Sequence, residues 1–300
     1  MRERLSVGVI GLGDIARKAY LPVLAVRPDL DLHLCTRNRA ALDEIGDAYR
    51  VARRTTDLEQ LLASDIDVAF VHAATSAHAR IVTALLESGR DVYVDKPLDD
   101  SAAGARRLAR LAELHGRSLM VGFNRRFAPV YTALRERPRD LIVMQKNRQL
   151  SPAEPRRVIF DDFIHVVDTL RFLVPGPVTS TRINTRVEDG LLHHVVLELS
   201  GEGFTALGIM NRAGPAAEER IEVMGGGHKR TVVDLANVEV SGEPARVLRR
   251  GDWTPVSRQR GIEQACDAFL DAVRGGTTLD ASDAVRTHDL CEQIVVTADG

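Results

Sequence analysis

The chain has 300 residues, 44% of them hydrophobic and 27% charged, which suits one large domain or two ordinary ones. Its formal net charge of −2 offers no electrostatic footprint for nucleic acid or an anionic membrane. No stretch approaches the ~20 apolar residues that span a bilayer, and Cys35, Cys266 and Cys291 lack disulfide or metal-ligand spacing. A cytoplasmic protein is expected, since the apolar run in MRERLSVGVIGLG is too short for a signal peptide. Arginine dominates the basic residues. Lysine stands only at positions 18, 96, 146 and 229, so a lysine inside a motif carries weight.

In chain order, strands are predicted at Leu5–Ile10, Leu30–Cys35, Val68–Val71, Val92–Val94 and Leu119–Val121. Helical apolar spacing predicts helices at Ile15–Val26, Ala40–Tyr49, His78–Ser88 and Ser101–His115 between them. Gly89 and Gly116 sit where helix C-caps belong. Such alternation predicts an α/β Rossmann domain, a doubly wound parallel sheet covered on both faces, over residues 1–121. Residues 122–300 break the pattern. Predicted there are a helix at Phe127–Arg137, a strand at Leu141–Gln149, a proline-rich loop at Ser151–Arg157 and a helix at Phe160–Val174. Strands follow at Val178–Val187, Leu191–Leu199, Thr205–Asn211, Arg220–Met224 and Arg230–Leu235 without intervening helices. Helices at Arg258–Arg274 and Ser282–Thr297 close the chain, and these last helices are allowed to pack back on the first domain. The second domain therefore reads as α+β with an open, mostly antiparallel sheet, binding substrate and mediating oligomerisation.

Gly11-Leu12-Gly13-Asp14-Ile15-Ala16 follows the first strand directly and opens a helix. Gly11 permits a tight turn, Gly13 lets backbone approach a pyrophosphate, and Ala16 allows close helix–strand packing. The helix start at Asp14 and Ile15 then presents free N–H groups to the phosphates. After the second strand, where an NAD site carries an acid on the ribose hydroxyls, this chain has Thr36-Arg37-Asn38. A hydroxyl and a guanidinium suit a 2′-phosphate, which favours NADP over NAD.

Asp95-Lys96-Pro97 ends a strand at the carboxyl edge of the sheet, where ligands bind. Such an acid–lysine pair, taken alone, is more often a surface ion pair. Placed in the crevice, Lys96 polarises a substrate oxygen. Asp161 and His165 are spaced i and i+4 on a helix, facing one cleft, and an imidazole beside a carboxylate moves protons near neutral pH. Asp168, one turn on, is expected to hold the His165 ring. Taken alone, the helix reads more often as one with a satisfied, partly buried histidine. His72 is expected near the nicotinamide and His78 at a helix start; His115, His228 and His288 are expected at the surface.

These marks together resemble the glucose–fructose oxidoreductase, inositol dehydrogenase and rhizopine-catabolism (Gfo/Idh/MocA) family. They are Gly11–Ala16, His78 eleven residues before Gly89, Asp95-Lys96-Pro97 for the family's Glu-Lys-Pro, Gly122-Phe123-Asn124-Arg125-Arg126-Phe127, and the D-x-x-x-H pair Asp161 and His165. The resemblance implies an NAD(P)-dependent dehydrogenase or reductase acting on CH–OH or C=O groups. Its substrate would be a sugar, polyol, cyclitol or nucleotide sugar. His165 would be the general acid/base, Lys96 would help position and polarise the reacting oxygen, and Asp161 would bind substrate or support the proton relay. Ala74, Thr75, His78, Asp95, Lys96, Pro97 and Arg126 would line the cofactor, and the open sheet would pair copies into a homodimer or homotetramer. No metal is implied. Ala74-Thr75 replace the usual Pro-Asn, and Phe163 stands where many relatives have Gly, which narrows the pocket. A non-catalytic dinucleotide-binding regulator on the same fold is the alternative.

Overall fold

The computed structural model describes residues 4–241, 246–249 and 251–300. The chain forms two compact units. One comprises the residues up to Gly122 with Ile262–Val285, and the other Phe123–Gly261 with Arg286–Gly300.

In the first unit, β1 (Leu5–Ile10), β2 (Leu30–Cys35), β3 (Arg53–Thr55), β4 (Val68–Val71), β5 (Asp91–Val94) and β6 (Leu119–Val121) form one parallel sheet. Its order is β3-β2-β1-β4-β5-β6. The order reverses between β1 and β4, and open α/β sheets bind ligands at the carboxyl ends beside such a switch. All of β4 and Val92–Val94 of β5 are buried, as strands covered on both faces must be. Each such valine contributes about 1.5–3 kcal/mol by leaving water. Helices Arg39–Ala48, Thr75–Glu87 and Ala102–Leu114 cross between strands. Asn38 and Ser101 cap two of them by accepting from the N–H groups of Ala41 and Gly104. Gly89 and Gly116 follow the last turns at φ +79° and +59°, the left-handed exit that glycine makes without strain. Helix Ile262–Arg274 belongs to this unit, with Phe269 edge-on to Phe70 at 5.4 Å between ring centroids.

The helix expected at Ile15–Val26 is not uniform. A wider π-turn occupies Ala16–Tyr20 before an α segment at Leu21–Leu24. Pro22 has no N–H to continue the ladder and crowds the carbonyl four residues back, so the extra residue is absorbed just upstream. Edge strand β3 and the short helix Leu58–Leu62 are additional. Three residues give too little alternation to be read from sequence.

The second unit holds an eight-stranded sheet. Its strands are β7 (Leu141–Asn147), β8 (Ser180–Glu188), β9 (Leu191–Gly201), β10 (Phe204–Asn211), β11 (Glu218–Gly225), β12 (His228–Val233), β13 (Asn237–Ser241) and β14 (Arg246–Leu248), in the order β14-β13-β12-β11-β7-β10-β9-β8. Only β7 and β10 run parallel; the other neighbours are antiparallel. One face is apolar, with Ile142, Met144, Leu192, Val195, Leu197, Ala206 and Met210 buried, and the helix Ile164–Leu173 lies against β7 and β10. Strands β13 and β14 lie beyond the last predicted strand. The predicted helix Phe127–Arg137 is broken into short turns, because Ala128 precedes Pro129 and takes an extended ψ of 123°. His288, expected at the surface, is fully buried between Phe123 and Phe160, at 6.1 and 6.0 Å. It shares the inward stripe of the last helix with Cys291, Ile294 and Val295. No described helix is long and apolar enough to cross a membrane.

Candidate active site

The loop after β1 pairs one sterically closed glycine with one that faces open space. Gly11 has φ +86°, and its N–H donates to the Cys35 carbonyl at 2.9 Å. A Cβ on Gly11 would stand 2.5 Å from the Ala73 backbone nitrogen, so any side chain there collides with rigid main chain. Gly13 differs: a Cβ there would meet no atom within 4 Å. The space in front of Gly13 is open, at the start of a helix whose first N–H groups have no partner within the helix. Those two observations fit a dinucleotide pyrophosphate. Ala16 is fully buried, Ile15 is partly exposed, and Asp14 pairs with Lys18 at 2.7 Å.

At the end of β2, Thr36 is half-buried and Arg37 is exposed, while Asn38 caps the next helix with Oδ1 on the Ala41 N–H at 3.1 Å. Among the described residues Arg37 is thus an exposed cation beside this strand end, and Asn38 is committed to the helix.

The segments after β4 and β5 are tied together by His78. Its Nδ1 and Nε2 lie 2.8 and 2.9 Å from the carbonyl oxygens of Pro97 and Ala73. Ala74 is the N-cap of the helix begun by Thr75, and the Lys96–Pro97 peptide is cis. The Asp95 N–H donates to Val71, and its carboxylate accepts from the Tyr20 hydroxyl at 3.1 Å. Burial pushes the Asp95 carboxyl up, with the Lys96 charge and the Tyr20 hydrogen bond opposing. Tyr20 also meets the Tyr93 hydroxyl at 3.1 Å and stacks on His72 at 3.9 Å. His72 is 4% exposed, and neither ring nitrogen has a hydrogen-bond partner among the described residues. Burial, then His78, pull its pKa down to about 3, so the ring is neutral at physiological pH. Tyr20 had no motif to mark it. Its role depends on the π-turn that aims it at Asp95.

The second unit carries the other predicted group. Asp161 lies in a π-turn, Ile159–Phe163, and His165 in the α-helix that follows. The i, i+4 argument assumes α geometry over both residues, and that geometry does not hold across the π-turn. Asp161 is exposed and 3.9 Å from Arg157, while His165 is half-buried and its carbonyl accepts from Thr169 at 2.7 Å. Phe163 is fully buried in the core. Asp168 is 1% exposed, accepts from Arg126 through both oxygens at 2.6 and 2.8 Å, and accepts from Thr287 at 3.1 Å. That pairing shows where Arg126, expected at the cofactor, and Asp168, expected at His165, are engaged.

Next to the helix that carries His165 runs an ionic network that sequence reading missed. Arg125 forks onto Glu219 at 2.7 and 2.6 Å, and both are buried. Lys146 on β7 pairs with Asp162, which also accepts from Arg148 at 2.6 and 2.8 Å and from Arg212 at 3.1 Å. Burial and Arg125 pull the Lys146 pKa down to about 8, against Asp162 and Glu219. Burial opposes ionisation of Asp162, yet the bonds from Arg148 and Lys146 hold its carboxyl far below the usual range. A signal for Lys146 was present. Strand alternation puts it on the same face as Ile142 and Met144, a place where a lysine needs a partner.

The family model described as "Oxidoreductase family, NAD-binding Rossmann fold" matches residues 5–123, and "YceM-like, C-terminal domain" matches residues 129–243. YceM of Salmonella typhimurium is 32% identical over 281 residues, 91% of each chain. The chain belongs to the Gfo/Idh/MocA oxidoreductase family. Among solved structures, a Gfo/Idh/MocA family oxidoreductase from Vibrio cholerae is 29% identical, with a TM-score of 0.92 over 98% of both chains. The inositol 2-dehydrogenase of Agrobacterium fabrum is 30% identical over 191 residues, 60% of this chain and 57% of that one. As a Gfo/Idh/MocA protein with an NAD-binding Rossmann domain, the chain is a dehydrogenase or reductase acting on a small molecule.

Proposed function

We propose that the enzyme transfers hydride between NADP(H) and a carbinol or carbonyl carbon of a sugar, polyol, cyclitol or nucleotide sugar. The observation that carries the reading is the loop at Gly11 and Gly13, with backbone closed behind the first glycine and open space before the second. Arg37, exposed at the end of β2 where an acid would select NAD, supports NADP. The sugar-like substrate follows from kinship to a relative named an inositol 2-dehydrogenase.

When bound, the nicotinamide supplies or accepts the hydride. The protein manages the proton and the oxygen. In the oxidative direction His165 takes the hydroxyl proton as the oxygen becomes a carbonyl, and in reduction it returns that proton. Lys96, held between β5 and cis-Pro97, donates to the reacting oxygen and stabilises its developing negative charge. Asp161 carries the proton onward or holds a neighbouring hydroxyl.

The test is steady-state turnover of a carbinol and carbonyl panel with each cofactor, followed by reduced-nicotinamide absorbance. Lys96→Ala and His165→Ala are expected to lower kcat by about 100-fold or more, while NADPH affinity stays within a few-fold. Near-wild-type turnover in either variant removes that residue's role. Tight NADPH binding without turnover of any panel member removes the enzymatic reading in favour of a regulator.

A further inference from the structure

Beside the reactive helix, within the second unit, lies a polar cavity of about 350 Å³. Arg148, Ser151, Arg157, Asp161, Asp162 and Arg212 line it. The acceptor sites of Asp162, at the inner side of this cavity, are already spent. A carboxylate offers about four lone-pair sites. Asp162 Oδ1 accepts from Lys146 and Arg148, and Oδ2 accepts from Arg148 and Arg212. A sugar hydroxyl finds no open acceptor on Asp162, and Asp161 is left to the reacting end of the molecule.

The donor side is in surplus. Lys146, Arg148, Arg157 and Arg212 face two carboxylates, Asp161 and Asp162. Neighbouring acids do not close the gap. Glu219 is engaged by Arg125, and Glu154 accepts from the backbone N–H groups of Arg156 and Arg157. Arg148 spends Nε and Nη2 on Asp162, and Arg212 spends Nε on the Ser151 carbonyl at 2.6 Å and Nη1 on Asp162. Arg148 Nη1 and Arg212 Nη2 make no protein hydrogen bond among the described residues. Burial pulls the Arg212 pKa down; Asp162 opposes this, while Arg148 and Arg157 add to it, as expected where cations crowd. Asp162 fixes two of the guanidinium forks in advance, so an arriving oxyanion pays little ordering entropy.

We propose that this cavity binds a phosphate or carboxylate group of the substrate, making the substrate an anionic sugar or cyclitol rather than a neutral polyol. The assignment rests on the reading that Asp161 and His165, on the adjoining helix, serve the reacting end of that molecule. Guanidinium groups match both oxyanions with paired hydrogen bonds.

Two measurements on the full chain test it. Inorganic phosphate is titrated by calorimetry in the presence of saturating NADP, which fills the cofactor's phosphate sites, using wild type, Arg157→Gln and Arg148→Gln. Separately, kcat/KM is compared for a neutral sugar, its 6-phosphate and its uronate. Arg157 has a 76% exposed side chain, so its substitution leaves the fold intact. The expected result is phosphate binding weakened about tenfold in each variant, with one anionic arm preferred about tenfold over the neutral sugar and the Arg157→Gln loss mainly in KM. Preference for the 6-phosphate identifies a phosphate, and preference for the uronate a carboxylate. Phosphate affinity unchanged in both variants, with neutral and anionic sugars turned over equally, overturns the cavity assignment and leaves hydride transfer standing. Phosphate binding that depends on Arg157 and Arg148, without turnover of any sugar, keeps the cavity and removes the reading on which it rests.

Discussion

Replacing Asp162 by Asn tests whether the ionic network supports the segment that carries Asp161 and His165. The substitution keeps the shape of the side chain and removes the charge that Lys146, Arg148 and Arg212 share. Lys146 is 4% exposed, so water cannot replace the lost partner. Breaking a buried pair from one side costs about 3–5 kcal/mol. Arg148 is 41% exposed on its side chain and recovers hydration, adding no more than about 1 kcal/mol. A loss of about 3–4 kcal/mol is expected, seen as a fall of roughly 6–16 °C in the second unit's Tm. The pH dependence has a definite sign. The Asp162 pKa is lowered by folding, so its contribution is present above the unfolded value near 3.9 and is lost as pH falls through the folded value. Lys146 is lowered to about 8, so the folded state sheds its proton there. Above that pH the lysine no longer needs Asp162. Asp162 itself raises the Lys146 pKa, so in Asp162→Asn the lysine sheds its proton at lower pH than in wild type. The gap should therefore hold from about pH 4 upward, begin to narrow before pH 8, and narrow again as pH falls below about 4. Urea unfolding across that range measures it. Adding Lys146→Met to Asp162→Asn should recover at least half of the loss, because the stranded charge is gone. A loss under about 0.5 kcal/mol, or no recovery in the double variant, would refute the reasoning.

The remaining predictions concern the cofactor loop. Arg37→Ala should weaken NADPH about tenfold or more and NADH less than twofold, by fluorescence titration, because only the 2′-phosphate engages the guanidinium; equal losses remove the case for NADP. Gly11→Ala should cost about 2 kcal/mol or more in urea unfolding, since φ +86° and the Ala73 backbone at 2.5 Å leave no place for a Cβ. Gly13→Ala should change stability by less than about 0.5 kcal/mol yet weaken dinucleotide binding, because its methyl enters space that is otherwise open; unchanged binding would show that the pyrophosphate does not approach there.

Much of the first unit was readable because its signals are local. A short apolar run that ends in Gly-x-Gly-x-x-Ala specifies strand, turn and helix from neighbouring residues alone, and β1, β2, β4 and β6 have the predicted bounds. Edge strand β3, with three residues, offers no period to read. The segment at Asp161–His165 was readable as helical from its apolar stripe, but not as a π-turn followed by an α-helix. That distinction reflects how Phe160 and Phe163 enter the core, and both are buried. His288 was misplaced because a histidine in an amphipathic helix is polar by type. Its burial between Phe123 and Phe160 depends on rings far away in the chain.

The sequence alone determined the parallel sheet, the phosphate loop and the family, because each rests on spacing along a few dozen contiguous residues. Tertiary structure decided the charges. Asp162 meets Lys146, Arg148 and Arg212, Arg126 meets Asp168, and Tyr20 meets Asp95 across 14 to 75 positions. Pairings at such distances follow from which strands and helices become neighbours, and no local period encodes that. The glycine-rich loop could therefore be read from the chain, whereas the cation-rich cavity beside Asp161 and Asp162 exists only once the sheet has assembled.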